Sequence, residues 1–175
     1  QRMVAERMVA TVARELTDRW EMMYGLLQAF WEREGDSNVP KRHVEDGERL
    51  GGWLQNQRQR YKTRALSEAE RKARSVSPLS DAEVARLEAL GVSWDPVAQQ
   101  WERMYSLLAA YREREGNGNV PGKHVEDGER LGGWLQNQRQ RYKTRALSEV
   151  ERTAISVSPL SDAEMARLEA LGVSW

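Results

Sequence analysis

The side chains best suited to chemistry in this chain are the amides and cations between Leu50 and Arg64. This stretch contains no acidic residue, although the whole chain carries as many acidic as basic residues, 27 of each. Its apolar residues recur at steps of three and four, which predicts an amphipathic helix with one buried face. The predicted buried face carries Leu50, Trp53, Leu54, Gln57 and Tyr61.

The opposite face of this helix would present amides and cations to the outside. Gln and Asn side chains can make bidentate contacts to adenine edges, and Arg or Lys can reach guanine or phosphate. A helix that follows a turn and packs on two others has the arrangement of a recognition helix. We expect Thr63 to point outward as well. The candidate nucleic-acid contacts on the helix are Gln55, Asn56, Arg58, Gln59, Arg60, Lys62 and Arg64.

The chain contains two copies of one module. A shift of 81 positions places Trp20 on Trp101 and Trp94 on Trp175, and residues 43–68 are identical to residues 124–149. Because the copies are nearly identical, we expect both to do the same job. The candidate contacts of the second helix are therefore Gln136, Asn137, Arg139, Gln140, Arg141, Lys143 and Arg145.

A basic segment precedes each central helix, and it is followed by an acidic turn. It reads Lys41-Arg42-His43 in the first copy and Lys123-His124 in the second. The segment is either a solvated loop or a second set of phosphate contacts. The two histidines have no partner at metal-ligand spacing, so we predict packed or surface imidazoles and no metal site.

Composition limits the class of protein. A chain of 175 residues with 39% apolar and 31% charged residues suits one or two small soluble domains. It has no cysteine, and no apolar run is long enough to cross a membrane. With zero formal charge, any affinity for nucleic acid must come from local clustering. The chain starts at Gln1, so we interpret it as a fragment of a longer cytoplasmic protein, without a signal peptide.

The predicted fold is all-α, with two tandem three-helix modules and an N-terminal helical extension. The extension is residues 1–19, and the modules are residues 20–94 and 95–175. Ser67 and Ser80 each begin a capping-box pattern, which predicts a short helical turn and then the third main helix. The extension either completes the core or packs on a neighbour. The predicted aromatic centre consists of Trp20, Tyr24, Trp53, Tyr61 and Trp94.

One set of residues is typical of a known family. The set consists of Trp20, Tyr24, Leu27, Gly35, Asn38, Val39, Pro40, Leu50, Gly51, Trp53, Leu54, Gln57, Arg58, Leu87, Leu90, Gly91, Val92 and Trp94. In this spacing the chain resembles the helicase-associated domain, a three-helix module found in tandem C-terminal to bacterial superfamily II helicases. The resemblance implies nucleic-acid binding and a helicase core as a possible partner. The segment from Ser67 to Pro78 is longer than the usual connection of the family.

Two other functions compete with DNA binding. The Gln- and Arg-rich face could be plain solubilising surface, or the modules could form a protein-interaction array that docks a helicase core. The acidic turn Glu45-Asp46-Gly47-Glu48 favours the array. An enzyme is the least expected class, since the chain has no phosphate-binding loop, no Asp-Glu box, no Cys nucleophile and no recognisable triad. We therefore predict duplex DNA as the partner, with no cofactor, no catalysis and no membrane contact.

Overall fold

The computed structural model describes residues 2–175, with side chains from Met3 onward, and this part of the chain is helical. It contains eight α-helices and two isolated β-bridges, so the all-α prediction is confirmed. The helices are α1 (Arg2–Glu34), α2 (Leu50–Lys62), α3 (Glu68–Arg74), α4 (Asp81–Ala89), α5 (Pro96–Glu115), α6 (Leu131–Lys143), α7 (Glu149–Ile155) and α8 (Asp162–Ala170). A 3₁₀ turn follows each central helix, at Thr63–Ala65 and at Thr144–Ala146.

The chain divides into two compact units, one ending at Asp95 and the other running over Pro96–Trp175. Each unit has three main helices and one short helix, which is the helical turn predicted after Ser67. The predicted N-terminal extension is continuous with the first helix of unit 1, since α1 has no break across its 33 residues.

The core of unit 1 forms where α1, α2 and α4 meet. Leu27, Leu50, Leu54 and Leu87 are fully buried there, because the apolar stripe of each helix faces the other two. Unit 2 repeats this arrangement around Leu108, Leu131, Leu135 and Leu168. Burying such side chains supplies the main free energy that holds each module together.

The predicted aromatic centre is only partly correct. Trp20 and Tyr24 are buried and stack with ring centroids 5.3 Å apart. Trp53, Tyr61 and Trp94 are half-buried at the edge of the core. Tyr61 and Trp94 stack on each other at 4.2 Å there, because the chain after α4 folds back over the end of α2.

The first half of α1 does not complete the core of the described chain. Met8, Val12 and Leu16 are 65%, 53% and 65% exposed. Of the two predicted roles for the extension, completion of the core is therefore wrong. The helix persists without this burial because its residues from Arg2 onward contain neither Gly nor Pro before Gly25.

A buried polar chain joins the three main helices of unit 1. The Trp20 indole donates to Gln57 Oε1 at 3.0 Å, and Arg60 Nη1 donates to the same oxygen at 2.9 Å. Arg60 also pairs with Glu83 at 3.3 Å. Glu83 in turn accepts the backbone N–H of Ser80 in the capping box of α4. Among the described residues, Gln57 is therefore the only side chain that accepts from both the Trp20 indole on α1 and the Arg60 guanidinium on α2.

The loop before α2 is held by an ion pair. Asp46 and Gly47 have φ values of 49° and 78°, which form the tight turn predicted between Glu45 and Glu48. Glu45 receives two hydrogen bonds from Arg33, at 2.7 and 3.0 Å, and lies 2.7 Å from His43 Nε2. The Arg33 guanidinium and the His43 ring lower the pKa of Glu45 from 4.5 to about 2.

We predict that Gln57→Leu, combined with Gln138→Leu, costs each unit about 1–3 kcal/mol, because it leaves a buried indole N–H without an acceptor. The exposed pair Gln59→Leu and Gln140→Leu is the matched control and should stay within about 0.5 kcal/mol. Urea unfolding followed by tryptophan fluorescence measures both. Equal stabilities for the two variants would show that the indole bond contributes nothing.

We predict that the Glu45 and Glu126 carboxylates stabilise the fold only while they are ionised. Their folded pKa is about 2 against an ordinary 4.5, so the charged form is favoured in the folded state. Their contribution is complete above the unfolded pKa and is lost as the pH falls towards the folded one. Glu45→Gln with Glu126→Gln should therefore lower the urea midpoint at pH 7, and the deficit should shrink steadily from pH 4.5 to pH 2. A deficit that stays constant over this range contradicts the role of the charge.

Candidate nucleic-acid interface

The exposed face of α2 is a strip of small and amide side chains with a lysine at its end. Gly52, Asn56, Gln59 and Lys62 are exposed, and Gln55 is partly exposed at the border. The strip lies opposite Leu50 and Leu54, as the 3.6-residue period predicts. In α6 the same face carries Gly133, Gln136, Asn137, Gln140 and Lys143, all exposed.

The amides and lysines of this face have no side-chain partner in the described part of the chain. Among residues 2–175, no side-chain hydrogen bond or ion pair involves Gln55, Asn56, Gln59 or Lys62. The same holds for their counterparts in α6 within the part of the chain that the structure describes. These groups are therefore available to a ligand without breaking any contact of the fold.

Three predicted arginine contacts per unit are used by the fold instead. Arg58 is buried, donates from Nε to the Ser93 carbonyl at 2.8 Å, and has its pKa lowered by desolvation. Arg60 is held by Gln57 and Glu83, and Arg64 pairs with Asp81 at the start of α4. Thr63, also expected outward, is buried and donates to the Arg60 carbonyl.

The same division recurs in the second unit. Arg139 donates to the Ser174 carbonyl at 2.9 Å, Arg141 pairs with Glu164 at 2.9 Å, and Arg145 pairs with Asp162 at 2.5 Å. These arginines lie between the buried and the exposed face, where a neighbouring segment supplies a carbonyl or carboxylate. The helical period does not reveal which neighbouring segment covers each of these positions.

The two histidines are packed side chains. His43 contacts the ring of Phe30 edge-on at 5.2 Å and reaches Glu45, and His124 does the same with Tyr111 and Glu126. Within residues 2–175, no group of three potential ligands is placed to hold a metal ion. We therefore leave both histidines out of the contact surface.

The basic loop meets the central helix at its first turn. A Cβ on Gly51 would lie 2.0 Å from the Pro40 carbonyl oxygen and 2.6 Å from that of Lys41, so only glycine fits at this crossing. In unit 2, a Cβ on Gly122 would lie 3.9 Å from Gln136 Nε2. The position of Lys41 and Gly122 is therefore next to the amide face, and the loop and the helix form one surface.

The loop cations are exposed and unpaired in the described chain. Lys41 and Arg42 of unit 1, and Lys123 of unit 2, have no side-chain partner among residues 2–175. The two nearby glutamates are paired instead. Glu45 is paired with Arg33, and Glu48 is paired with Arg19 at 3.2 Å.

Unit 2 neutralises the second acid from a different position. Arg103 pairs with Glu129 at 3.1 Å, and the equivalent of Arg103 in unit 1 is Met22. The equivalent of Arg19 is Gln100. Both units therefore place an arginine from the first helix on the acid that directly precedes Arg49 or Arg130. This pairing removes negative charge from the edge of the contact face.

Sequence reasoning missed two positions on this surface. Arg49 is exposed and has no side-chain partner in residues 2–175, and the same is true of Arg130. Gly52 and Gly133 occupy the middle of the exposed face. Counting back from Asn56 in steps of four and three leads to Gly52 and then to Arg49, so the helical period could have found both.

A cleft of about 890 Å³ opens beside this face in unit 1, between α1, α2 and α4. Gly52 and Asn56 lie at its α2 edge, and the rings of Trp20 and Trp53 line it further in. Leu16, from the first half of α1, also lines it. A ligand on the exposed face of α2 would therefore meet a recess, rather than a flat surface, on this side.

Comparison with known proteins gives one family. The helicase associated domain matches twice, over residues 17–95 and 98–175. No curated protein and no solved structure matches the chain. No helix in residues 2–175 is both long and apolar enough to cross a membrane. The two matches together span most of the 175 residues, and the resemblance seen in the sequence is thereby confirmed. The chain belongs to the helicase-associated domain family.

Proposed function

We propose that this chain is a non-catalytic module that binds double-stranded DNA through the exposed faces of α2 and α6. It would serve as an accessory to a helicase-like parent protein in the bacterial cytoplasm, with residues 20–94 and 95–175 as its two binding modules. The observation that carries the proposal is the set of amides and cations that have no partner in the described chain. Arg58, Arg60 and Arg64, in contrast, are engaged by the fold.

The difference between engaged and unpartnered polar side chains is informative because the fold satisfies its own buried hydrogen-bonding groups. No buried side-chain nitrogen or oxygen in residues 3–175 lacks a partner, so the fold meets its own polar requirements. Three unused amides lie together on the outer face of each central helix, whereas those elsewhere, such as Gln28 and Asn38, lie apart from this face. Amides in this arrangement can read base edges in the major groove, where an α-helix fits. The 13 residues of α2 extend about 20 Å, which is long enough to follow the groove.

Local charge supports the same partner. The net charge of the chain is zero. Near the contact face, however, Glu45 and Glu48 are paired with arginines. Within the described residues this leaves four cations unpaired, namely Lys41, Arg42, Arg49 and Lys62. Phosphate contacts from such cations supply sequence-independent affinity that falls steeply with salt. The acidic turn, which favoured a protein array, is largely neutralised, although Asp46 stays exposed at its tip.

A protein-docking function is the second candidate, and it is favoured by the first half of α1. This segment exposes large apolar side chains, including Met8, Val12 and Leu16. Exposed apolar surface of this kind is typical of contacts with another protein. This candidate predicts binding that depends weakly on salt, whereas DNA binding through several cations depends on it strongly.

We predict that Gln55→Ala and Gln59→Ala, made with Gln136→Ala and Gln140→Ala, leave stability within about 0.5 kcal/mol per position. Each amide that reads a base should weaken binding to a preferred site by about 1–3 kcal/mol. Fluorescence anisotropy with a selected duplex of about 30 base pairs (roughly three turns of B-DNA) measures the loss. Gln28→Ala is the control, since Gln28 is exposed on α1 and its counterpart is Ala109. The base-reading role is wrong if the four substitutions bind like Gln28→Ala.

We also predict that Lys62→Ala with Lys143→Ala weakens binding to every duplex sequence by a similar factor. The slope of log affinity against log salt should fall by about one for each phosphate contact removed. Titrations of duplex DNA, single-stranded DNA and RNA at several salt concentrations test this and establish which nucleic acid is preferred. Binding to no nucleic acid at low salt would reject the proposed function and leave protein docking.

A further inference from the structure

Two glycines inside the central helices have no structural explanation within the described chain. A Cβ on Gly52 would touch only the Arg49 Cβ, at an ordinary 4.0 Å, and a Cβ on Gly133 would meet nothing within 4 Å. Neither has a positive φ that would require glycine. Glycine inside a helix is less stable than alanine, because it loses more conformational freedom on folding. Each helix therefore gives up stability here without any gain in its own packing.

The preceding glycine of each central helix, in contrast, is required by a contact within its own module. A Cβ on Gly51 would lie 2.0 Å from the Pro40 carbonyl oxygen, and one on Gly132 would lie 2.0 Å from that of Pro121. These two glycines are required because the loop backbone crosses the helix at that point. Gly52 and Gly133 lie on the side of the helix that faces solvent, away from the crossing.

The unexplained glycines lie in the middle of the contact face. One turn before Gly52 stands Arg49, and one turn after it stands Asn56. Both flanking side chains are exposed and have no partner among residues 2–175. In unit 2, Arg130 and Asn137 flank Gly133 in the same way. Each glycine thus forms a bare patch of helix backbone between a cation and an amide.

We propose that Gly52 and Gly133 are the points of closest approach between each central helix and bound nucleic acid. The sugar–phosphate backbone would pass there in van der Waals contact with the helix. Arg49 and Asn56 would then hold adjacent phosphates, as would Arg130 and Asn137. This inference rests on the proposed function, and it adds a position that the amide and lysine contacts do not require.

Sterics explain why glycine is needed at such a point. A Cβ at residue 52 projects from the middle of the face, so the strand would have to move outward by about the size of a methyl group. Hydrogen bonds weaken steeply once donor and acceptor leave their usual 2.7–3.2 Å range. The methyl group would therefore disrupt the contacts of Arg49 and Asn56 without touching either side chain.

The chain provides a matched control for an exposed helix glycine. A Cβ on Gly25 of α1 would also meet nothing within 4 Å, and the counterpart of Gly25 in unit 2 is Ser106. Position 25 therefore accepts a side chain, and it does not belong to the contact face. Gly25→Ala should add stability in the same way as Gly52→Ala and should leave DNA binding unchanged.

The test compares the full chain with Gly52→Ala/Gly133→Ala and with Gly25→Ala. Thermal unfolding is followed by circular dichroism, and binding to a labelled 30-base-pair duplex is followed by anisotropy at low salt. We expect both variants to melt a few degrees above the wild type. We expect only the Gly52→Ala/Gly133→Ala variant to lose duplex affinity, by tenfold or more, with Gly52→Leu/Gly133→Leu losing still more.

Each other result overturns the inference in a distinguishable way. If the wild type binds the duplex and the Gly52→Ala/Gly133→Ala variant binds equally well, the close approach is wrong while the proposed function stands. If this variant melts below the wild type, the glycines serve the fold and not a ligand. If the wild type binds no nucleic acid, the proposed function fails, and the inference fails with it.

Discussion

The orientation of each central helix on its apolar core depends on one polar contact, between a tryptophan on the first helix and a glutamine on the central helix. Gln57 accepts from the Trp20 indole and from Arg60, and Arg60 continues the chain to Glu83 on α4. Gln138, Trp101, Arg141 and Glu164 repeat it in unit 2. A buried amide is tolerated only where its hydrogen bonds are satisfied. The contact therefore fixes the rotation of the central helix, and with it the face that is turned outward.

This constraint divides the polar residues of α2 into two groups. Gln57, Arg58 and Arg60 are used to hold the module together. The side chains of Gln55, Asn56, Gln59 and Lys62 have no partner among residues 2–175. The two groups have similar composition and alternate along the sequence. A count of Gln and Arg residues therefore overstates the surface that is available to a ligand, and only the burial and partners of each side chain reveal its extent.

The glutamates beside the candidate interface are also engaged by the fold. Each module carries Glu45–Glu48 or its copy next to the candidate interface, and each engages the two glutamates with arginines from its first helix. The arginine that reaches the second acid comes from position 19 in unit 1 and from position 103 in unit 2, which are not equivalent. Non-equivalent arginines thus reach the same glutamate position in the two units, while Asp46 of unit 1 stays exposed at the tip of the turn. Both pairings would reduce the repulsion of phosphate at the proposed interface.

The sequence by itself determined the repeat, the helix class, the capping boxes at Ser67 and Ser80, and the outward position of Gln55, Asn56, Gln59 and Lys62. It could do so because these features depend on local hydrogen bonding and on the 3.6-residue period. Tertiary structure decided which arginines are buried or paired, and which aromatic residues lie only half-buried at the edge of the core. Arg58 is buried because the segment after α4 brings the Ser93 carbonyl over it, and Trp53 is only half-buried because it lies at the edge where α1 and α2 meet. Tertiary structure also explains why only glycine fits at position 51 while position 52 has room for a side chain. The Pro40 carbonyl crosses the helix at Gly51 and not at Gly52. Contacts between residues distant in sequence decide such matters, and no periodicity within one helix encodes them.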